Sequence, residues 1–200
     1  MEVFQAIKQR RAVKHYHADA EMPAEDFDKI MSAVILSPTS YNIQHWRFVR
    51  VTDKNQRDKV KSAAWGQAQV ADASELVVLC ADINAWNDRP ERYVINSPQE
   101  TQDMLLPMMD AFYNGKEQIQ RDEAMRSCGI AAQTMMLAAK ELGYDTCPMV
   151  GFDREELARL IRLPQGYVIA MMIAIGTAEK SAHPRGGQLP LSEVLAENYF

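Results

Sequence analysis

Hydrophobic and polar positions along the chain follow two periods, one helical and one extended. Val3, Phe4 and Ile7 share one face of a helix over residues 2 to about 10. Pro23-Ala24-Glu25 opens a second helix. In it Phe27, Ile30, Met31, Val34 and Ile35 keep the three-to-four spacing of an amphipathic face, and Pro38 stops it. Residues 48–51 read as a short strand, and a polar helix follows to about residue 64. Residues 75–81, "ELVVLCA", are apolar without alternation, which predicts a strand covered on both faces. A polar stretch runs over 82–96. Ser97-Pro98-Gln99-Glu100 has the form of a capping box with proline at the first helical position. It predicts a helix to about residue 113, kinked at Pro107. The longest helical pattern covers 121–142 and ends at Gly143. Asp153 caps a short helix, and residues 167–175, "YVIAMMIAI", read as a central strand closed by Gly176. The tail, "HPRGGQLPLSEVLAENYF", has no core of its own and needs a surface to lie against.

Strands separated by helices imply an α+β or α/β layer fold. No linker or internal repeat divides the chain, so one domain over residues 1–200 is expected. The 121–142 helix is rich in small residues: Ala124, Ser127, Cys128, Gly129, Ala131, Ala132, Ala138 and Ala139. Small side chains let neighbouring backbones approach, so this helix is expected at the centre, packed on several sides, with a second subunit among the candidate neighbours.

Composition narrows the function classes. A hydrophobic fraction of 47% in 200 residues suffices for a substantial core. The net charge of −5 argues against a general nucleic-acid binder, so any phosphate site must be a local basic cluster. No apolar run reaches membrane-spanning length, and the N-terminus carries no apolar signal core, which makes a cytoplasmic protein without membrane attachment the expectation. Cys80, Cys128 and Cys147 form neither a disulfide framework nor a zinc pattern. Cys147, placed in a turn, is the one to test for reactivity. His15, His17, His45 and His183 have no metal-ligand spacing, so no metal is expected. The glycine-rich nucleotide fingerprints, G-x-S-x-G and H-E-x-x-H are all missing from the sequence.

Four stretches carry candidate chemistry. Lys8-Gln9-Arg10-Arg11-Ala12-Val13-Lys14 gathers cations at a helix end. They suit the helix dipole, and guanidinium pairs also grip phosphate oxygens. His183-Pro184-Arg185 is a solvated loop unless the tail folds back to that cluster. Cys147-Pro148-Met149-Val150-Gly151 is either an ordinary connection or a loop exposing amides to a flat heterocycle. In "SPTSYNIQHW", residues 37–46, Ser40, Asn42 and Gln44 alternate. An extended chain would point all three one way, towards a ligand edge; turn chemistry is the alternative.

Five blocks, "RRAVKHY", "SPTSYNIQHWRF", "QVADASELVVLCAD", "GYDTCPMVGFD" and "PRGGQLPLSEV", occur in the order found in the FMN-dependent nitroreductase family. The likeness spans nearly the whole chain. The resemblance implies an α+β fold with a mixed sheet surrounded by helices, built as an intertwined homodimer with FMN sites at the interface. It implies that Arg10, Arg11 and Ala12 bind the FMN phosphate together with Arg185 and, beside it, His183. Lys14 and Gln69 face the pyrimidine edge of the ring. Pro148, Met149, Val150 and Gly151 cover one ring face, with the Val150 amide donating to flavin N5. Pro38, Thr39, Ser40 and Asn42 reach the partner's flavin. Tyr41, His45, Phe112 and Tyr113 are the candidate substrate wall, with core packing the alternative for each.

The implied activity is ping-pong electron transfer from NADH or NADPH to a small-molecule acceptor such as a nitroaromatic or quinone. Lys14 and the Val150 amide would tune the flavin electrostatically, and no side chain would act as nucleophile or general base. Two other readings stand beside it: a specialised FMN enzyme of the same fold (dehalogenase, dehydrogenase or flavin-fragmenting) and a non-enzymatic flavin-binding protein. Departures from the family pattern are His45 for proline, Ala12 for serine, Gly66 for asparagine and Val150 for glutamate.

Overall fold

The computed structural model describes residues 2–200. In chain order, α1 (Val3–Gln9) and α2 (Ala24–Val34) lead through a 3-10 turn at Ser40–Asn42 into β1 (Trp46–Arg50). Then come α3 (Lys54–Ala63), α4 (Gln69–Asp72) and β2 (Glu75–Asp82). Two further 3-10 turns, Ala85–Asn87 and Pro90–Tyr93, precede α5 (Gln99–Tyr113) and α6 (Glu117–Glu141). The chain continues through β3 (Asp145–Met149), α7 (Arg154–Leu160), β4 (Tyr167–Gly176) and α8 (Leu191–Val194).

The four strands form one sheet in the order β1-β2-β4-β3. Every pairing between them is antiparallel, so the expected mixed sheet is corrected. A parallel contact survives only as the isolated bridge between Ala12 and Thr146. All eight residues of β2 are buried. Val77, Leu79 and Ala81 face a layer built on α6 and α2, while Leu76, Val78 and Cys80 face the opposite layer of the core. Helices on both faces are why this strand lacks a polar alternation. Of the small residues of α6, Ala124, Ser127, Cys128, Ala131, Ala132 and Ala139 are buried, while Ala138 is half-buried and Gly129 exposed.

Several boundaries differ from expectation. The long helix starts at Glu117 rather than residue 121. Pro98, not Ser97, is the N-cap of α5, and no side chain caps it. Ser97 instead accepts from the Gln102 amide through its carbonyl at 2.8 Å. The polar stretch after β2 is anchored by buried Trp86 and Tyr93, whose hydroxyl donates to the Ala85 carbonyl. Asp153 caps α7 as expected, accepting from the Glu156 N–H at 3.0 Å. Among the described residues, no helix is long and apolar enough to cross a membrane.

Candidate active site

The first basic segment leaves α1 at Arg10 and runs beside β3, where the Val13 N–H donates to the Thr146 carbonyl at 3.0 Å. The parallel bridge at Ala12 carries Lys14 along the outer edge of that strand. The tail returns to the same place. Arg185 Nη2 lies 3.1 Å from each of the carbonyls of Ile7, Lys8 and Arg10, the open C-terminal end of α1. Arg11 donates to the His183 carbonyl. Arg10, Arg11 and Arg185 are thereby gathered from opposite ends of the chain. The Arg10 pKa is lowered by burial first, then by the charges of Arg185 and Arg11. Cations crowded to this degree are relieved by an anion, so the residues fit a phosphate.

Beside this cradle stands the segment expected to be a loop. Cys147, Pro148 and Met149 belong to β3 instead, paired with Ala174, Ile173 and Met172. Proline is tolerated because β3 is an edge strand, where a missing N–H costs no ladder bond on the open side. Cys147 is buried, not in a turn. Burial raises its thiol pKa, with the Lys14 charge and a Gln69 hydrogen bond pulling the other way. The thiol is therefore a poor nucleophile, and its neighbours place Lys14 and Gln69 together. Val150 begins the loop and is 63% exposed. Gln69 is buried, with its amide donating to Gln67 Oε1 at 3.0 Å.

The sequence reading passed over two residues here. Gln67 Nε2 donates to the Gly151 carbonyl at 2.8 Å and to the Ala64 carbonyl at 3.1 Å, clipping the loop after β3 to the end of α3. Trp65 is exposed, and its ring lies 3.2 Å from where a Cβ on Gly151 would sit. The paired glutamines at 67 and 69 were the available signal.

The second group lies across the sheet. Ser40, Asn42 and Gln44 do not form an extended row. The chain makes a 3-10 turn at Ser40–Asn42, where Tyr41 and Asn42 have positive φ, as does Gln44 just beyond it. Such backbone is uncommon for these residues and needs support. Thr39 Oγ1 accepts from the Gln44 N–H at 3.0 Å, and Asn42 Nδ2 donates to the Tyr93 carbonyl at 3.1 Å. Both ends are pinned to α6: Ser37 Oγ donates to Thr134 Oγ1 at 2.8 Å, and His45 Nδ1 lies 3.0 Å from Ser127 Oγ. Ser127 and Thr134 are seven residues apart, two helical turns, and so share one face.

His45 and Tyr113 are 0% exposed, which favours core packing, the alternative for each, over a place in the substrate wall. Tyr113 stacks on Trp86 at 6.0 Å, and His45 meets Tyr113 edge-on at 6.4 Å. Burial, then the Arg47 charge, lowers the His45 pKa from 6.5 to about 4. Tyr41 and Phe112 remain partly open, with ring centroids 6.2 Å apart. Pro38 is exposed at the entrance to the turn.

The two groups meet opposite edges of the sheet, the cation cradle at β3 and the turn at β1. Three strand spacings separate those edges, about 14 Å. One chain therefore keeps the two groups apart, at opposite edges of its sheet. Among the described residues there is no cluster of three or more potential metal ligands.

The Nitroreductase family model matches residues 7–177. Protein DrgA of Synechocystis is 45% identical over 98% of this chain and 95% of its own length. MhqN of Bacillus subtilis, provisionally named an NAD(P)H nitroreductase, is 33% identical over 94% of this chain and 95% of its own. A crystal structure from Staphylococcus epidermidis, provisionally titled an NAD(P)H:FMN oxidoreductase, superposes with a TM-score of 0.91 at 26% identity. It covers 98% of this chain and 95% of that one. The chain belongs to the nitroreductase family.

Proposed function

We propose that this nitroreductase-family chain is an FMN-dependent oxidoreductase that takes electrons from NADH or NADPH and passes them to nitroaromatic, quinone or related acceptors. The observation that carries the reading is the cradle of Arg10, Arg11 and Arg185 beside Lys14 and the loop after β3. The names of the relatives MhqN and the Staphylococcus epidermidis protein support the same cofactor and donor.

FMN, when bound, supplies the two-electron chemistry, which is why no side-chain nucleophile is needed. Arg10 and Arg185 hold its phosphate, with Arg11 and the backbone at Ala12 beside them. His183 orders the tail through its carbonyl. Lys14 and Gln69 face the pyrimidine edge of the ring, and the Lys14 charge favours electron density arriving there. Pro148 and Met149 bring the Val150 amide to the ring face, and Gln67 holds Gly151 in register. Pro38, Thr39, Ser40 and Asn42 serve the flavin of a second subunit, since they sit at the edge opposite their own chain's cradle. Tyr41 and Phe112 form the acceptor wall. One site bordered by Tyr41 and Phe112 would serve donor and acceptor in turn, and ping-pong kinetics would follow.

The separation of the two groups and the apolar surface left open support a homodimer. Phe4 is 85% exposed, with Val3 and Ile7 beside it on α1, and the tail leaves Leu191, Val194 and Phe200 exposed. Apolar groups in such number call for a partner surface.

The test is a visible spectrum of the purified protein followed by anaerobic titration with NADH and NADPH. The expected result is a bound flavin that bleaches with at least one nucleotide and recovers on adding a quinone. A protein that neither carries nor takes up FMN would overturn the reading. Lys14→Met is expected to lower the flavin reduction potential by roughly 30 mV, the equivalent of about 1.4 kcal/mol for a two-electron couple. Dye-equilibration potentiometry reads it, and an unchanged potential would remove Lys14 from the tuning role.

A further inference from the structure

A cleft of about 450 Å³ lies beside the strained turn, lined by Gln44, Trp46, Arg47, Arg92 and Tyr93. Two guanidinium groups in one cleft are notable in a chain of net charge −5. Arg47 is held in place from behind. Its Nη1 donates to the carbonyls of Gln44 at 3.0 Å and Trp46 at 2.8 Å, and its Nη2 reaches Asp82 Oδ2 at 3.2 Å. Asp82 is nearly buried, so this ion pair fixes the side chain rather than leaving it to solvent.

Arg92 is held more loosely. Its Nη2 donates to Tyr93 Oη at 2.6 Å and lies 3.1 Å from Asp88 Oδ2. Asp88 is half-exposed, and an exposed ion pair contributes little and yields readily to a stronger anion. Arg92 Nε is buried without a partner. A phosphate offers several anionic oxygens to a planar fork of donors, which a single exposed carboxylate does not match.

The cleft is tied to the turn. The Tyr93 carbonyl that accepts from Asn42 belongs to a residue that lines the cleft, and Gln44 lines it from the turn itself. We infer that the Arg47–Arg92 cleft binds a phosphate group of the nicotinamide nucleotide donor. This rests on the proposed function, in which the same turn borders the flavin face that receives the nicotinamide. Gln44 belongs both to the turn and to the cleft wall, so a nucleotide extending past the turn would meet the two arginines. The bound phosphate is either in the diphosphate bridge, common to both donors, or the 2′-phosphate of NADPH alone.

The test compares the wild type with Arg92→Gln and with Arg159→Gln, which removes an equal charge from remote α7. Two readouts are taken. One is the KM for NADH and for NADPH at saturating quinone; the other is calorimetric binding of ADP and of 2′,5′-ADP to the protein as isolated. Arg92→Gln is expected to raise KM and weaken the matching adenosine phosphate by roughly tenfold or more, the scale of a lost charged hydrogen bond. kcat and the flavin spectrum should stay unchanged, and Arg159→Gln should behave as wild type. An effect on both donors and both probes assigns the diphosphate. An effect on NADPH and 2′,5′-ADP alone assigns the 2′-phosphate. Equal loss in the Arg159→Gln control, or no change in KM or binding in Arg92→Gln, overturns the inference. Failure of the proposed function is read separately, as a protein whose flavin neither nucleotide bleaches.

Discussion

Replacing Arg185 with alanine is expected to weaken FMN binding by roughly 1.5–3 kcal/mol, tenfold or more in Kd. Arg185 does two things at once. It offers a cation to the phosphate, and it ties the tail to the exposed carbonyls of Ile7, Lys8 and Arg10 at the end of α1. Arg10→Ala should cost a similar amount. The pair should not be additive, because each residue also relieves or imposes charge on the other, and residues in one network couple. Removing Arg185 from the ligand-free protein should ease the repulsion acting on Arg10. The double variant should therefore lose less affinity than the sum of the two single losses, while binding FMN more weakly than either single variant. Fluorescence titration of flavin-stripped protein measures all three. Unchanged affinity in both single variants would mean that the cradle is not the phosphate site.

The second large effect is on stability. The His45 pKa falls from 6.5 to about 4 in the folded chain, chiefly because burial disfavours its cation. Between those two values the unfolded chain binds a proton that the folded chain refuses. The contribution of His45 is therefore complete above pH 6.5 and is lost as pH falls towards 4. The total is about 3 kcal/mol, with no further loss from this group at lower pH. His45→Gln should flatten that part of the pH profile, measured as denaturant unfolding between pH 7 and pH 4. An unaltered slope in the variant would show that other groups carry the acid sensitivity. His45 also fastens the strained turn to Ser127, so acid should loosen the turn before the rest of the sheet.

Much of the fold was legible because its signals are local. The amphipathic spacing of Phe27, Ile30 and Val34 produced α2, and the unbroken apolar run at β2 announced a strand with helices on both faces. Asp153 capped α7 as its side chain predicts. β3 was misread because Pro148 and Gly151 are loop residues by local preference. Only its place at the sheet edge permits a proline to pair with Ile173. The turn at Ser40–Asn42 was misread for a related reason. Tyr41 in the turn and Gln44 just after it take positive φ against their own preferences, and the local bond to Thr39 is joined by long-range bonds to Tyr93, Ser127 and Thr134 in holding the segment there. His45 was a candidate for the substrate wall under the family resemblance, yet it enters the core with Ser127 beside its Nδ1.

By itself the sequence determined most of the helices (not α4 or α8), the two central strands, the absence of a nucleophile motif, and which cations were available to hold a phosphate. Those follow from periodicity, capping and residue chemistry, all of which act over a few residues. The tertiary structure decided which of those groups meet. It brought Arg185 to the end of α1, more than 170 residues away, and set the turn at the sheet edge opposite the cradle. It also buried His45 and Tyr113, while Arg47 and Arg92 were brought into one cleft. Such meetings depend on strand order and on the packing of helices against the sheet. A pattern confined to neighbouring residues does not encode them one at a time.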